Sequence, residues 1–391
     1  MRTKWFWISR IALPISVVAL SLFVWLYGID WWDRSRQRAF FASCIQAQRM
    51  RKWDELKLLA EKWCQWSPRS ADPWIFRADA AQQLGDFASA ADYLAKVPED
   101  DPKALPALVA LSKLQFGQAN RPLDGVQTCE SILRIEPRTA AAHQGLIEFY
   151  ATTMQRQKLL HQIRFAIAMG CEPPSAYVYY FLVDSMRLAN GIELNTVWQS
   201  AHPDAELFLV AEALHLPEPV AGNAELLQDK HARITALFQK FPNNVELLAY
   251  QMNFAIRTGD VPELVRLLKR VPAMSDGDDR FWRAKGWLHL NRNEIPKARD
   301  ALDRALKIFP IGWSGRSWLA DVARREGNPV EAARLDELVR RANRLRDALT
   351  KSDSDDQIPR KLFAQLAGYA RDCGDLPFSD ALNNRLEQLK H

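Results

Sequence analysis

The stretch WRAKGWLHLNRNEIPKARDALDRALKIFP, from Trp282 to Pro310, decides the fold. Its marker positions are Trp282, Gly286, His289, Asn293, Ile295, Ala298, Leu302, Ala305 and Pro310. Moved 34 residues toward the C terminus, the register meets Ala320, Ala323, Gly327, Pro329, Ala332 and Val339. Moved 34 residues the other way, it meets Leu248, Met252, Ala255, Gly259, Val261, Leu264 and Val271. A fixed period of this length means stacked helical hairpins rather than one globular core. Such a stack offers a binding surface, not a catalytic pocket.

Each hairpin needs two antiparallel helices and a tight turn. Gly85-Asp86, Gly259-Asp260, Gly327-Asn328 and Gly374-Asp375 supply such turns. Glycine accepts a left-handed backbone at a helix end, and Asp or Asn caps the next helix. Small residues follow at a fixed offset, at Ala90, Ala298 and Ala332, and let the second helix approach the first. Pro68, Pro137, Pro242 and Pro310 close units where a helix must stop.

These residues resemble the tetratricopeptide repeat (TPR) family. Trp282, Gly286, Ala298, Leu302, Ala305 and Pro310 carry its pattern, and Trp74, Ala78, Gly85, Asp86, Phe87, Ala90 and Leu94 form a second copy. The resemblance implies an all-α, right-handed superhelical solenoid of about eight to ten hairpins. Units are expected near residues 37–70, 71–104, 106–139, 140–173, 245–278, 279–312, 313–346 and 360–391. Arg121 and Pro122, and then Met154 and Gln155, stand at turns where the pattern is broken. Residues 174–244 match poorly and read either as two degenerate units or as a non-repeat insertion. The expected organisation is therefore a membrane helix in 1–30, an N-terminal array over 37–173, degenerate repeats over 174–244, the best-matching units over 245–346, an acidic linker at 347–359, and a last unit at 360–391. That last unit reaches His391, so no appended enzyme module is expected.

Residues 11–29 form a 19-residue run without a charge. As a helix this spans roughly 28 Å, close to the hydrocarbon thickness of a bilayer. Trp5, Trp7, Trp25, Tyr27, Trp31 and Trp32 gather at its two ends, as interfacial aromatics do. A cleaved signal peptide would show a small-residue exit, but the run leaves through Gly28-Ile29-Asp30-Trp31-Trp32. Cys44 lies too far beyond the run, past Arg34, Arg36 and Arg38, to be a lipoprotein cysteine. The expectation is a single-pass anchor. Flanking cations nearly balance, but the short basic N-terminus resembles an uncleaved signal anchor, which places the repeats outside the cytoplasm.

The net charge of +5 is too small to argue for nucleic acid, which calls for a pronounced basic face. The five cysteines are scattered, without a Cys-x-x-Cys pair, and read as small apolar residues in helix contacts. None of the seven histidines sits in a His-Glu-x-x-His motif, and no phosphate-binding glycine loop or Gly-x-Ser-x-Gly elbow occurs. No catalytic residue, metal ligand, cofactor or small-molecule substrate is expected. His289 reads as packed or hydrogen-bonded.

In the TPR family the first helices of the hairpins line a concave face. That resemblance projects Asn253, Arg257, Arg280, Arg283, Trp287, Asp321 and Arg324 into a groove. Trp287 follows Trp282 by five residues and is turned roughly 140° around the helix, so it reads either as a partner contact or as core. Several Arg and one Trp suit an acidic, extended or helical protein segment. The clamp with which some family members hold a C-terminal carboxylate is not reproduced. Asn253 is kept, but Ala249, Ala284, Ser314 and Trp318 stand elsewhere in the register. The expected function is a membrane-anchored protein-interaction scaffold in an envelope assembly. The alternative is a non-catalytic accessory or regulatory subunit of a membrane-associated enzyme.

Overall fold

A computed structural model describes residues 31–185, 190–216, 224–351 and 359–388. Among these residues every regular element is helical. The apolar run expected to cross a membrane lies outside them, and none of the described helices is long and apolar enough to do so. The chain divides into two compact units between Ala119 and Asn120.

In the first unit, α1 covers residues 31–49 and is followed by α2 (Trp53–Trp66), α3 (Ala71–Gln83), α4 (Phe87–Leu94) and α5 (Ala104–Phe116). Cys44, Leu56, Ala60, Trp63 and Phe76 form one apolar cluster, against which Trp53 is partly buried. Ala78, Ala81, Ala90, Leu94, Ala107 and Leu111 form the next. Burial pushes the Cys44 thiol up to about 12 and the Cys64 thiol up to about 11. Both therefore behave as small core residues, without the thiolate character that reactivity needs.

The second unit contains α6 (Pro122–Ile135), α7 (Ala140–Thr152), α8 (Arg156–Met169), α9 (Pro174–Leu182), α10 (Gly191–Ala201), α11 (Glu206–His215) and α12 (Ala224–Lys240). It continues with α13 (Val245–Thr258), α14 (Val261–Leu268), α15 (Asp279–Asn291), α16 (Ile295–Ile308), α17 (Trp313–Arg325), α18 (Pro329–Thr350), α19 (Arg360–Cys373) and α20 (Leu376–Gln388). A 3₁₀ turn, Ala273–Gly277, leads into α15. The helices pair as α7–α8, α13–α14, α15–α16, α17–α18 and α19–α20, with α16 packed in turn on α17.

The turns explain the pairing. Arg51, Gly85, Asn120, Met154, Gly259, Asn293, Gly327 and Gly374 all have positive φ. Just after most of them an amide reaches back to close the preceding helix, as in Asp86 N to Ala81 O at 2.9 Å, Glu294 N to His289 O at 2.8 Å and Asp375 N to Ala370 O at 2.9 Å. The Asp86, Asp260 and Asn328 side chains then accept the amides of Ser89, Glu263 and Glu331 at the start of the next helix. Within α15–α16 the helices touch at Gly286. A Cβ there would lie 2.6 Å from Leu302 Cγ, so any larger residue requires Leu302 or α16 to shift.

The second unit departs from a stack in which each hairpin meets only its neighbours. All of α9 after Pro174 is buried. A helix that is apolar all round must be surrounded, and α9 is enclosed by helices distant in sequence. Tyr177 meets Phe363 with ring centroids 5.5 Å apart, Tyr180 meets Phe378 at 4.5 Å, and Phe181 meets Tyr369 at 5.7 Å. Tyr180 donates to Asp375 Oδ2 at 2.8 Å, and the Tyr369 hydroxyl donates to Ile311 O at 3.1 Å. Within the span 174–244, α9 packs against α19 and α20. The α9 helix is a pillar on which the C-terminal hairpins fold back, while α10 and α11 pair with each other.

Candidate functional site

The groove residues lie on α13, α15 and α17, and α15 packs directly on both of the others. Their environments divide them into two groups. Asn253, Arg257, Asp321 and Arg324 are exposed. The Arg257 guanidinium lies over the Phe254 ring at 5.7 Å. Arg324 pairs with Asp321 on its own helix and donates to Asp336 at 2.8 Å. Trp287 is half-buried, packed on the cluster that contains Leu248, Met252, Phe281, Ala284 and Leu288.

Arg280 and Arg283 face inward. They belong to an ionic network that also holds Arg156, Asp184, Glu246, Asp278 and Asp279. Arg156, the first residue of α8, donates from Nε to Asp184 Oδ1 at 2.7 Å and from Nη1 to Asp279 Oδ1 at 2.7 Å. Arg280 bridges Glu246 Oε2 at 2.5 Å and Asp278 Oδ2 at 2.7 Å. Arg283 lies 3.0 Å from Asp184 Oδ2 and 3.0 Å from Asp279 Oδ2, and it donates to the Ser314 hydroxyl. The side chains of Arg156, Asp278 and Asp279 are 5%, 1% and 2% exposed. Charges this deep persist only when paired.

The titration behaviour follows from that pairing. Burial pushes the Asp278 carboxyl up, but Arg280 and Arg156 outweigh it and hold the group at about 2. Burial acts on Asp184 in the same sense, and Arg156 and Arg283 hold it well below the usual carboxylate range. For Arg156, burial favours the neutral form, and Asp184 and Asp279 more than reverse this. Arg156, Asp184 and Asp278 are therefore held in their charged forms at neutral pH.

Arg283 pairs with Asp184, which arrives from the turn after α9 in this same chain. Near Arg280 and Arg283 the face of α15 is covered by the chain itself. Trp287, Asn253 and Arg257 lie farther along and remain at or near the surface. The sequence reading missed Arg156, Asp184, Glu246 and the Asp278-Asp279 pair. One signal was present: residues 176–183 read Ala-Tyr-Val-Tyr-Tyr-Phe-Leu-Val, an uninterrupted apolar and aromatic run that must be buried somewhere.

His289 is hydrogen-bonded, with Nδ1 2.6 Å from Glu294 Oε2 at the turn of its own hairpin. Trp282 is half-buried, and its indole donates to Asp276 O at 3.0 Å. At the equivalent repeat position Trp74 donates to Pro68 O at 2.9 Å, and His143 Nε2 lies 2.8 Å from Pro137 O. These side chains tie each first helix to the loop before it. Among the described residues no group of three or more His, Cys, Asp or Glu could hold a metal ion.

No protein-family model matches the chain, and no curated protein sequence matches it. Among solved structures, a chain of the APC/C Cut9–Hcn1 hetero-tetramer is similar at 13% identity over 90% of this chain and 72% of that one, with a TM-score of 0.33. The human IFIT1 dimer with m7Gppp-AAAA is similar at 13% identity over 90% and 88%, with a TM-score of 0.33. Yeast Tom70 is similar at 12% identity over 90% and 88%, with a TM-score of 0.29. Scores of this size leave the TPR-like fold to rest on the helix pairs and turns described above.

Proposed function

We propose that this protein is a non-catalytic interaction scaffold, held at a membrane by residues 11–29, whose TPR-like hairpins bind a segment of a partner protein. The observation that carries the reading is the division of α13, α15 and α17 into two zones. Arg280 and Arg283 are committed to a buried network, whereas Asn253, Arg257, Asp321 and Arg324 stand exposed beside the half-buried Trp287. A rigid platform with a partly covered aromatic and mixed charge around it suits a short helical or extended segment. Placement of the hairpins outside the cytoplasm, in an envelope assembly, belongs to the same proposal. A role as accessory subunit of a membrane enzyme is the second form of it.

Two measurements on the intact protein test the reading. Carbonate washing of membranes leaves the full chain in the pellet if residues 11–29 span the bilayer, and release into the supernatant ends the anchor proposal. Crosslinking in the intact membrane, followed by mass spectrometry, yields partner peptides joined to α13, α15 or α17. Crosslinks found only elsewhere would move the binding surface, and a partner enzyme whose activity depends on this protein would favour the accessory-subunit form.

A further inference from the structure

Helix α1, residues 31–49, follows the uncharged run 11–29 almost directly in sequence. Phe40, Cys44 and Ala47 turn one side of it onto the apolar cluster around Trp63. Trp31, Arg34, Arg38, Ala42 and Arg49 recur at helical spacing on the opposite side, and each is exposed. The helix carries Arg34, Arg36, Arg38 and Arg49 against a single carboxylate, Asp33. Among the described residues Arg38 and Arg49 have no ion-pair partner. The Arg36 guanidinium lies over the Trp32 ring at 5.1 Å and over the Trp66 ring at 4.9 Å, which ties the first turns to α2 and leaves the stripe facing outward.

Every residue from 31 to 39 except Asp33 is exposed. Trp31 is 71% exposed and Trp32 54%. Helical turns so little covered by their own unit draw little stability from it. We infer that the outward stripe of α1 docks on the anionic headgroup surface of a bilayer, with Arg34, Arg38 and Arg49 on lipid phosphates and Trp31 and Trp32 at the boundary between headgroups and acyl chains. This rests on the membrane location proposed above and adds the charge class of the lipid. A guanidinium pairs with phosphate oxygens as a planar fork, and tryptophan favours the membrane interface. A basic helix beside a membrane segment gains from each negative headgroup within a Debye length. The two tryptophans stand at the end of the stripe nearest the apolar run, where a bilayer interface would meet them. Fluid headgroups rearrange under a stripe roughly 22 Å long, whereas an acidic protein would have to match its spacing.

The test uses the full chain in nanodiscs of phosphatidylcholine alone and of an equal mixture with phosphatidylglycerol. Amide hydrogen exchange over residues 31–39 is followed at low and at high salt. Exchange there should be at least about threefold slower in the mixed discs at low salt, and the difference should vanish at high salt. The triple variant Arg34→Gln, Arg38→Gln, Arg49→Gln should abolish the difference, while α3 exchanges as in the parent and so reports an intact first unit. Recovery with both discs and equal exchange in them overturns the docking and leaves the anchor standing. Elution apart from both discs ends both readings, whereas recovery with the mixed discs alone keeps the docking and ends the anchor. A lipid effect that survives high salt, or persists undiminished in the triple variant, also overturns the inference.

Discussion

At the scale of single residues, Arg156 is the position on which most depends. Its guanidinium joins the start of α8 to both Asp184 and Asp279, the same two carboxylates that Arg283 meets from α15. Removing one partner of a buried pair leaves uncompensated charge, which costs on the order of 3–5 kcal/mol. Arg156→Ala should lower the second unit's stability by that amount in urea denaturation. Arg156→Lys should recover only part of it, because an ammonium cannot span two carboxylates as a planar fork does. A loss below about 1 kcal/mol would mean that the network is idle. Acid should act through the same groups. The Asp278 carboxyl titrates at about 2 in the fold, below its ordinary value, so its contribution is present above pH ~4 and is lost as pH falls from there through about 2. Asp278→Asn should be less stable than the parent at neutral pH and show a shallower decline across that acid window. Trp287 poses a sharper choice. It packs on core residues yet is only partly buried. Trp287→Ala should lower partner affinity by about 2 kcal/mol while leaving the circular dichroism spectrum intact. Unfolded neighbouring hairpins with unaltered residual binding would make it core alone.

At the scale of the helical hairpin, close approach is set by pairs such as Gly286 and Leu302. Leu302 is fully buried and cannot yield to a methyl 2.6 Å from its Cγ without moving α16. Gly286→Ala should therefore destabilise by about 1–3 kcal/mol, although alanine is the better helix former. Leu302→Ala in the same chain makes room, so the double variant should lose less than the sum of the singles. Gly315→Ala meets its nearest neighbour at 3.4 Å and should be close to neutral, and thermal melts distinguish the three. The hairpin was also the scale most legible in the sequence. Gly85, Gly259, Gly327 and Gly374 mark their turns because glycine takes positive φ without penalty. Arg51, Asn120, Met154 and Asn293 adopt the same backbone and carried little or no such signal. There the helix-closing hydrogen bonds and the packing of the pair override local preference, as at Gln155 N to Tyr150 O, 2.9 Å.

At the scale of the whole second unit, the decisive feature is that α9 sits inside. Tyr177, Tyr180 and Phe181 bury their rings against α19 and α20, close to 200 residues away in sequence for the Tyr180–Asp375 bond. Contacts of such separation form only when the unit closes, so α9 amides should exchange hydrogen at the unit's slowest, global-unfolding rate. The α10 amides should exchange faster, since Ile192 and Val197 on that helix are exposed. Equal protection of α9 and α10 in native-state exchange would show that α9 is not the pillar it is taken to be here.

The sequence by itself determined the element type and the local pairing. The 34-residue register, the Gly-Asp and Gly-Asn turns and the small residue at Ala298 or Ala332 act over a few turns of chain, where backbone geometry and sterics are set by neighbours in sequence. It also nominated α13, α15 and α17 as a common surface, because residues at equal repeat positions share a face. It could not tell which of those residues the chain would use for itself. Arg280 and Arg257 look alike as letters, but one is paired with Glu246 and Asp278 in the interior and the other is exposed. That difference depends on Arg156 and Asp184 arriving from α8 and the turn after α9. Only the tertiary structure decides it, because a charge's environment is set by what packs against it in space, and the periodic pattern carries no record of those partners.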